Sequence, residues 1–199
     1  MYSKALGDKK NNKFMILNQD SIPVFSFSET YKRIMEHDHS IVNIKPNSFN
    51  IDGRDRRYQQ LKNFFDRDDI IQTAQQSVLL RKHVQMFVDE QEQIIKTFQP
   101  DPINFPLRYP SEIIIGTTLK QKGLLDEVIN RCIQYEDLST GNENQIGLVG
   151  FNHILDAQQN CLFLGRISND CLVDSKAKLI IQGKDIEAGR RKLLQNLEL

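Results

Sequence analysis

The central part of the chain carries its longest regular pattern of apolar and polar positions. From Arg54 to Gln99 there are 46 residues without glycine or proline. Beyond Ile71 the apolar positions recur every three or four residues, the period of one helix face. The positions are Ala74, Val78, Val84, Phe87, Val88, Ile95 and Phe98. The spacing predicts a long amphipathic helix, or a kinked helix pair, over residues 53–99.

The segments on either side of this helix have different patterns. Four prolines between positions 100 and 110 end the helix and predict an extended strap. Residues 1–52 are polar and rich in asparagine, with no helical period, which predicts an extended N-terminal arm. Within that arm Phe25 and Phe27 share one side of an extended backbone, and Ser28 or Glu29 could begin a short helix over residues 30–36.

Residues 111–199 predict a small helical domain. Ser111 or Thr118 could begin its first helix, and Gly123 fits the C-cap of that helix. The apolar positions from Leu124 to Ile133 favour a second helix, and Ser175 or Asp185 could begin the last ones. The predicted fold class is therefore mainly α, with an arm, a long helix, a strap and a C-terminal helical bundle.

Charge and hydropathy exclude some classes of partner. The 26 basic residues balance the 26 acidic ones, so no overall field attracts nucleic acid or anionic lipid. Runs of apolar residues are far shorter than the roughly 20 residues of a membrane span. Two basic clusters, at Arg56 and Arg57 and at Arg190 and Arg191, form solvated helix faces or contact an acidic protein surface such as tubulin. They lack the interleaved aromatic residues that bind nucleic acid by stacking.

The cysteines suggest a reducing compartment. Cys132, Cys161 and Cys171 cannot all pair within one chain, and no C-x-x-C motif is present. The thiols are therefore predicted to fill core positions. The first residues contain neither a secretory apolar region nor early arginines. Together these features predict a soluble cytoplasmic protein.

No catalytic motif stands out. The chain lacks G-x-G-x-x-G, the G-x-x-x-x-G-K phosphate loop and G-x-S-x-G. His37 and His39 have no third metal ligand close in sequence, and all four histidines are predicted to be exposed to solvent. His153 and Cys161 lack an orienting acid. We therefore predict no enzyme activity and no catalytic, metal or cofactor-binding residue.

Two segments resemble known helical modules. Residues 144–155 resemble the tail of an EF-hand loop, with Gly150 in place of the bidentate acid, which implies a metal-free helix-loop-helix that packs on another helix. Residues 118–133, with Gly123 at a helix junction, resemble the helix-glycine-helix segment of centrosomal and ciliary-base proteins of the FOP type.

Long helix, arm and strap together predict a structural or adaptor subunit of a large cytoplasmic assembly. In overall style the chain resembles small ciliary and axonemal proteins that decorate doublet microtubules. Heptads are not sustained, so no strong homodimer is expected. The alternatives are a calcium-independent EF-hand-like adaptor, or an accessory subunit of a ribonucleoprotein or respiratory complex. Beside the four arginines, the predicted partner-binding residues are Phe25, Phe27, Phe49, Val84, Phe87, Phe98, Phe105 and Tyr109.

Overall fold

A computed structural model describes residues 2–45, 59, 61–99, 110–136 and 145–183. The chain divides into two compact units. The first unit consists of residues 1–16 and 38–131, and the second of residues 17–37 and 132–199. The described residues form nine strands in three sheets and seven α-helices, which is a mixed α/β fold.

The strands and helices are numbered here in chain order. The strands are β1 (Lys13–Met15), β2 (Ile22–Pro23), β3 (Ser40–Ile44), β4 (Thr73–Leu80), β5 (Val128–Asn130), β6 (Gln134–Tyr135), β7 (Ile146–Val149), β8 (Phe163–Leu164) and β9 (Ile167–Val173). The helices are α1 (Tyr2–Leu6), α2 (Phe27–Met35), α3 (Arg81–Asp89), α4 (Gln91–Phe98), α5 (Ser111–Gln121), α6 (Phe151–Asn160) and α7 (Ser175–Ile181).

The first unit is built on a four-stranded sheet of order β1-β4-β3-β5. The long strand β4 is antiparallel to both of its neighbours, and Val78 lies opposite Met15 on one side and Ile41 on the other. Strand β5 extends the sheet parallel to β3. Most β4 side chains are buried, as expected for a central strand covered on both faces.

Helix α5 packs closely on this sheet because it carries a glycine at the contact. A Cβ at Gly116 would lie 2.6 Å from Ile71 Cγ2 and 2.7 Å from Thr73 Cγ2. The helix ends where Gly123 has a φ of +67°, and the Leu124 amide donates to the Leu119 carbonyl at 2.9 Å. The prediction of Gly123 as a C-cap glycine is therefore confirmed.

The second unit contains two small sheets. One has the order β2-β8-β6, with β8 parallel to β6, and the other pairs β7 with β9 in parallel. Helix α7 begins at Ser175, as one of the predicted alternatives had it, with the Asp174 carboxylate accepting from two backbone amides of its first turn. The fully buried core residues of this unit include Val24, Val149, Ile154, Ala157, Leu164 and Ala177.

A disulfide bond joins Cys132 to Cys161. Each cysteine lies two residues before a strand, Cys132 before β6 and Cys161 before β8. Because the two strands are parallel, their amino ends meet, and the disulfide ties them together. The prediction of three reduced core thiols in a reducing compartment was therefore wrong, since disulfides persist in oxidising compartments.

The predicted mainly α fold was wrong, and the long helix shows why. Residues 73–80, in the middle of that predicted helix, form the central strand β4. The predicted helical pattern corresponds to helices only after Leu80, in α3 and α4, which are separated at Glu90. The glutamine-rich stretch that precedes Leu80 has adequate helix propensity. It forms a strand because it pairs with a neighbouring strand on each side.

The structure also differs from the prediction in the other parts of the fold. Residues 2–45 form three strands and two helices of the folded units instead of an extended arm, although a short helix near residue 30 is present as α2. The predicted helix after Gly123 is replaced by a 3₁₀ turn (Leu125–Glu127) and β5, so the FOP-like helix pair is absent. Strand β7 and the first residues of α6 occupy the described part of the EF-hand-like segment, so a strand stands where the end of the metal-binding loop was predicted.

Candidate functional site

The first candidate site lies in the second unit, at the carboxyl ends of β6 and β8. Strand β6 is followed by Glu136, and β8 is followed by Gly165 and Arg166. Ligands in open α/β sheets bind outside the carboxyl ends of parallel strands. The disulfide joins the opposite ends of the same two strands. The strands are therefore fixed relative to each other, and charged side chains follow their carboxyl ends.

Arg166 and Glu136 form an ion pair at this edge. The Nε atom of Arg166 lies 3.1 Å from Oε2 of Glu136, and both side chains are about one-third exposed. Arg166 has a φ of +59°, the only positive φ of a non-glycine residue in the described ranges. Such backbone strain costs about 1–3 kcal/mol and is concentrated at functional sites.

Backbone hydrogen bonds on both sides hold Arg166 in this conformation. The Gly165 amide donates to the Tyr135 carbonyl at 2.9 Å, and the Ile167 amide donates to the Asp20 carbonyl at 3.0 Å. The Arg166 carbonyl itself accepts from the Ile146 amide at 2.7 Å. The surrounding structure therefore determines where the guanidinium group is presented.

A side-chain network supports the carboxylate of the pair. The Ser21 hydroxyl donates to Oε1 of Gln134, whose Nε2 donates to Oε1 of Glu136 at 3.3 Å. Gln134 is buried, and a Cβ at Gly165 would lie 2.0 Å from Gln134 Nε2, so a larger residue there would displace the Gln134 side chain from this network. Arginine at such an edge can bind a phosphate group with two parallel hydrogen bonds.

The second candidate feature is the carboxylate of Glu112 in the first unit. Glu112 lies on the first turn of α5, half-buried, and Gln72 Nε2 donates to its Oε2 at 3.1 Å. The Thr73 hydroxyl donates to the Glu112 carbonyl, and the Ile71 amide donates to the Thr117 hydroxyl at 3.0 Å. These contacts fix a carboxylate against the start of β4. A carboxylate held in this way can act as a general base.

A third polar cluster is structural. The fully buried Ser40 hydroxyl accepts from the Leu80 amide at 2.9 Å and donates to His83 Nδ1, while His83 Nε2 donates to Glu127 Oε2, both at 2.7 Å. Hydrogen bonds from Lys82 and then His83 hold the pKa of Glu127 below its usual range. A serine without solvent access cannot attack a substrate, so the cluster joins β3, α3 and the turn before β5.

His83 corrects the prediction that all four histidines are exposed. Its side chain is only 1% exposed, because both ring nitrogens have partners inside the unit. In the described ranges no group of three histidine, cysteine, aspartate or glutamate side chains could hold a metal ion. None of the helices in the described segments is long and apolar enough to cross a membrane.

The predicted partner-binding residues are dispersed over both units. Phe25 is half-buried under the Arg33 guanidinium, 4.1 Å from its ring centroid, whereas Phe27 is 85% exposed on α2. Val84 and Phe98 are buried, and Phe87 packs against the core around Val84. Their role in partner binding, and the predicted protein partners, remain predictions. Outside the described ranges lie Phe49, Arg56, Arg57, Phe105, Tyr109, Arg190 and Arg191.

Sequence reasoning missed Glu112, Glu136 and Arg166. Residues 111–199 were predicted to be a helical domain, so the end of strand β8 and the charged residue after it were not recognised. The two cysteines that precede β6 and β8 carried a usable signal. Had they been paired, the strands after them would have been placed side by side, with Glu136 and Arg166 at the same edge.

Comparison with known proteins supplies a family. The model of the Core-2/I-Branching enzyme family matches residues 1–146. Glycosyltransferase BC10 of Oryza sativa subsp. japonica is 25% identical over 168 residues, which cover 73% of this chain and 41% of that protein. The chain thus spans less than half the length of that relative. No solved structure matches the chain.

These findings overturn the functional predictions from sequence. The matching family is one of enzymes, so the predictions of a non-enzymatic structural protein and of an EF-hand-like or complex-subunit adaptor were wrong. The resemblance to ciliary and axonemal proteins was also wrong, as was the predicted location in the cytoplasm and cytoskeleton.

The family match covers 146 of the 199 residues and includes β1 to β6 and α1 to α5. It contains the fixed carboxylate of Glu112 and the Glu136 half of the ion pair. The chain belongs to the Core-2/I-Branching enzyme family.

Proposed function

We propose that this protein is a glycosyltransferase that moves a sugar from a sugar nucleotide to a hydroxyl group of an acceptor. The observation that carries the proposal is the family match over residues 1–146. The glycosyltransferase relative from rice supports the same class of reaction. In this reaction the acceptor oxygen bonds to the anomeric carbon, the bond from that carbon to the phosphate oxygen breaks, and the nucleoside diphosphate leaves with the electron pair.

Glu112 is the candidate general base. The acceptor hydroxyl must lose its proton as it attacks, and a positioned carboxylate can accept that proton. The Gln72 side-chain amide donates to Glu112 Oε2 at 3.1 Å and so orients the carboxylate. Glu127 is a poorer candidate, because hydrogen bonds from Lys82 and then His83 hold its pKa below the usual range.

Arg166, in the second unit, is a separate candidate contact for the phosphate groups of a nucleotide. A guanidinium group binds a phosphate group through charge-assisted hydrogen bonds. Its strained backbone keeps the side chain at the carboxyl edge of β6 and β8. A bound diphosphate would compete with Glu136 for the guanidinium group.

A transfer assay tests the reaction and the base. The 199-residue chain is incubated with radiolabelled sugar nucleotides and a panel of sugar acceptors, and labelled product is separated from donor. E112Q is expected to lower kcat at least about 100-fold, because the amide cannot accept the proton. The control is E92Q, a change at an exposed glutamate of α4. No transfer by the wild type would contradict the reaction, and equal rates for E112Q and E92Q would contradict the base.

A binding assay tests Arg166 separately. Calorimetric titration with uridine and guanosine diphosphates is expected to show R166Q binding at least about tenfold more weakly, since a charge-assisted hydrogen bond is lost. R33Q is a matched control in the same unit, because Arg33 Nε also pairs with a glutamate, at 2.7 Å from Glu29 Oε1. Equal affinities for R166Q and R33Q would contradict the phosphate contact.

A further inference from the structure

A pocket in the first unit lies apart from Glu112. It opens between α4, the end of α5 and the segment that carries Phe64 and Phe65, with a cavity volume of about 300 Å³. Gln121, on its wall, is nine residues beyond Glu112, which is roughly 14 Å along the helix axis. The pocket is therefore distinct from the carboxylate proposed as the base.

The floor of the pocket is aromatic. Phe65 and Phe98 pack with ring centroids 5.4 Å apart, and Phe98 belongs to the core around Leu61 and Ile113. Phe64 is 49% exposed beside them. The exposed ring of Phe64 and the packed rings of Phe65 and Phe98 line the same pocket, so they offer an apolar surface to an occupant.

The rim of the pocket is polar and carries no net charge from its titratable side chains. Lys122 Nζ pairs with Glu90 Oε1 at 2.6 Å, so the one cation and the one anion of the lining neutralise each other. Gln93 Nε2 donates one hydrogen bond to Thr97 Oγ1 at 3.2 Å and keeps its second N–H and its carbonyl oxygen for a ligand. The exposed Gln121 amide carries two donors and an acceptor. This rim suits a neutral ligand with many hydroxyl groups better than a phosphate, a metal ion or a purely apolar molecule.

We propose that this pocket binds a neutral pyranose residue of the acceptor glycan, with the apolar face of the sugar on Phe64 and its hydroxyl groups on Gln93 and Gln121. A pyranose ring combines an apolar face of C–H groups with an edge of hydroxyls, which matches the floor and the rim. The choice of a sugar rests on the proposed function. The distance of the pocket from Glu112 makes the pocket a distal subsite, which holds a residue of the glycan away from the reacting hydroxyl.

Direct binding tests this subsite without any transfer reaction. Methyl glycosides of glucose, galactose, mannose, N-acetylglucosamine and N-acetylgalactosamine are titrated into the full chain, and binding is followed by ligand-observed NMR. At least one glycoside is expected to bind the wild type. F64A and Q121A are each expected to weaken that binding about fivefold or more. F27A, a change at an exposed phenylalanine of the other unit, should leave it unchanged.

The outcomes separate this subsite from the proposed reaction. Absence of binding by all five glycosides overturns the subsite, and so does binding that neither F64A nor Q121A weakens. Because Q121A changes an exposed side chain at the end of α5, it tests the subsite even if F64A fails to fold. A chain that transfers sugar but fails this test loses only the subsite. A chain that binds glycosides through Phe64 but transfers nothing contradicts only the proposed function.

Discussion

The guanidinium of Arg166 meets the carboxylate of Glu136, with Nε 3.1 Å from Oε2, although the Arg166 backbone has a φ of +59°. Glycine would adopt this conformation without cost, yet the position carries a long cationic side chain. The strain and the charge thus occur together at the carboxyl edge of two parallel strands. The two contributions can be separated by substitution.

Replacing Arg166 by glycine or by alanine separates backbone strain from charge. Both variants lose the guanidinium, but only alanine keeps the strained φ, so R166G should be more stable than R166A by about 1 kcal/mol. For a chain of this size that corresponds to roughly 2–4 °C in the melting temperature. Thermal unfolding followed by circular dichroism measures the difference.

Arg33 provides a control at which the glycine variant is expected to be less stable than the alanine variant. It lies inside helix α2, where glycine is about 1 kcal/mol worse than alanine, so R33G should melt below R33A. Glycine below alanine at both positions would show that the Arg166 backbone carries no strain. Diphosphate binding should fall in both Arg166 variants alike, since it depends on the charge.

The disulfide is expected to stabilise the second unit substantially. Cys132 and Cys161 are 29 residues apart, and closing a loop of that length restricts the unfolded chain by about 3–4 kcal/mol. The double variant Cys132→Ser/Cys161→Ser should therefore lower the free energy of unfolding by that order in urea titrations. C171S, at the free cysteine, should change it little. Equal stability of the double variant and C171S would contradict the bond.

Local signals in the sequence located helix ends better than they located strands. Gly123 at the end of α5 was correctly placed, and Ser175, one of the two predicted starts, begins α7, because a cap depends on a few neighbouring residues. Strand β4 was missed because its burial on both faces removes the alternating pattern of a half-buried strand. The short strands β6 and β8, of two residues each, carry no readable period at all.

The candidate site could not be predicted for a related reason. Glu136 and Arg166 lie 30 residues apart in sequence and meet only through the parallel pairing of β6 and β8. That pairing depends on contacts distant in sequence. The positive φ of Arg166 was equally unreadable, because arginine is not a residue that signals a left-handed backbone. Only the cysteines pointed toward this arrangement.

Gly116 is expected to be required for the packing of α5 on the sheet. Alanine is favoured over glycine by about 1 kcal/mol inside a helix, but its Cβ would lie 2.6 Å from Ile71 Cγ2 and 2.9 Å from Ile71 Cβ. Overpacking of this kind costs about 1–3 kcal/mol, so G116A should be destabilised in urea titrations. The control is G147A in β7, where a Cβ would meet nothing within 4 Å. A more stable G116A would show that the contact tolerates a methyl group.

The ion pairs of Glu127 should make the stability of the protein depend on pH. Hydrogen bonds from Lys82 and His83 lower the pKa of Glu127 in the folded state, so the unfolded chain binds a proton more readily. Its contribution is therefore fully present above the ordinary pKa of glutamate and is lost as the pH falls through the lowered value. Urea midpoints measured from neutral pH to about pH 3 should fall less steeply for E127Q than for the wild type.

E92Q, at an exposed glutamate of α4, should follow the wild-type curve. Parallel curves for E127Q and the wild type would mean that Glu127 has the same proton affinity in the folded and unfolded states.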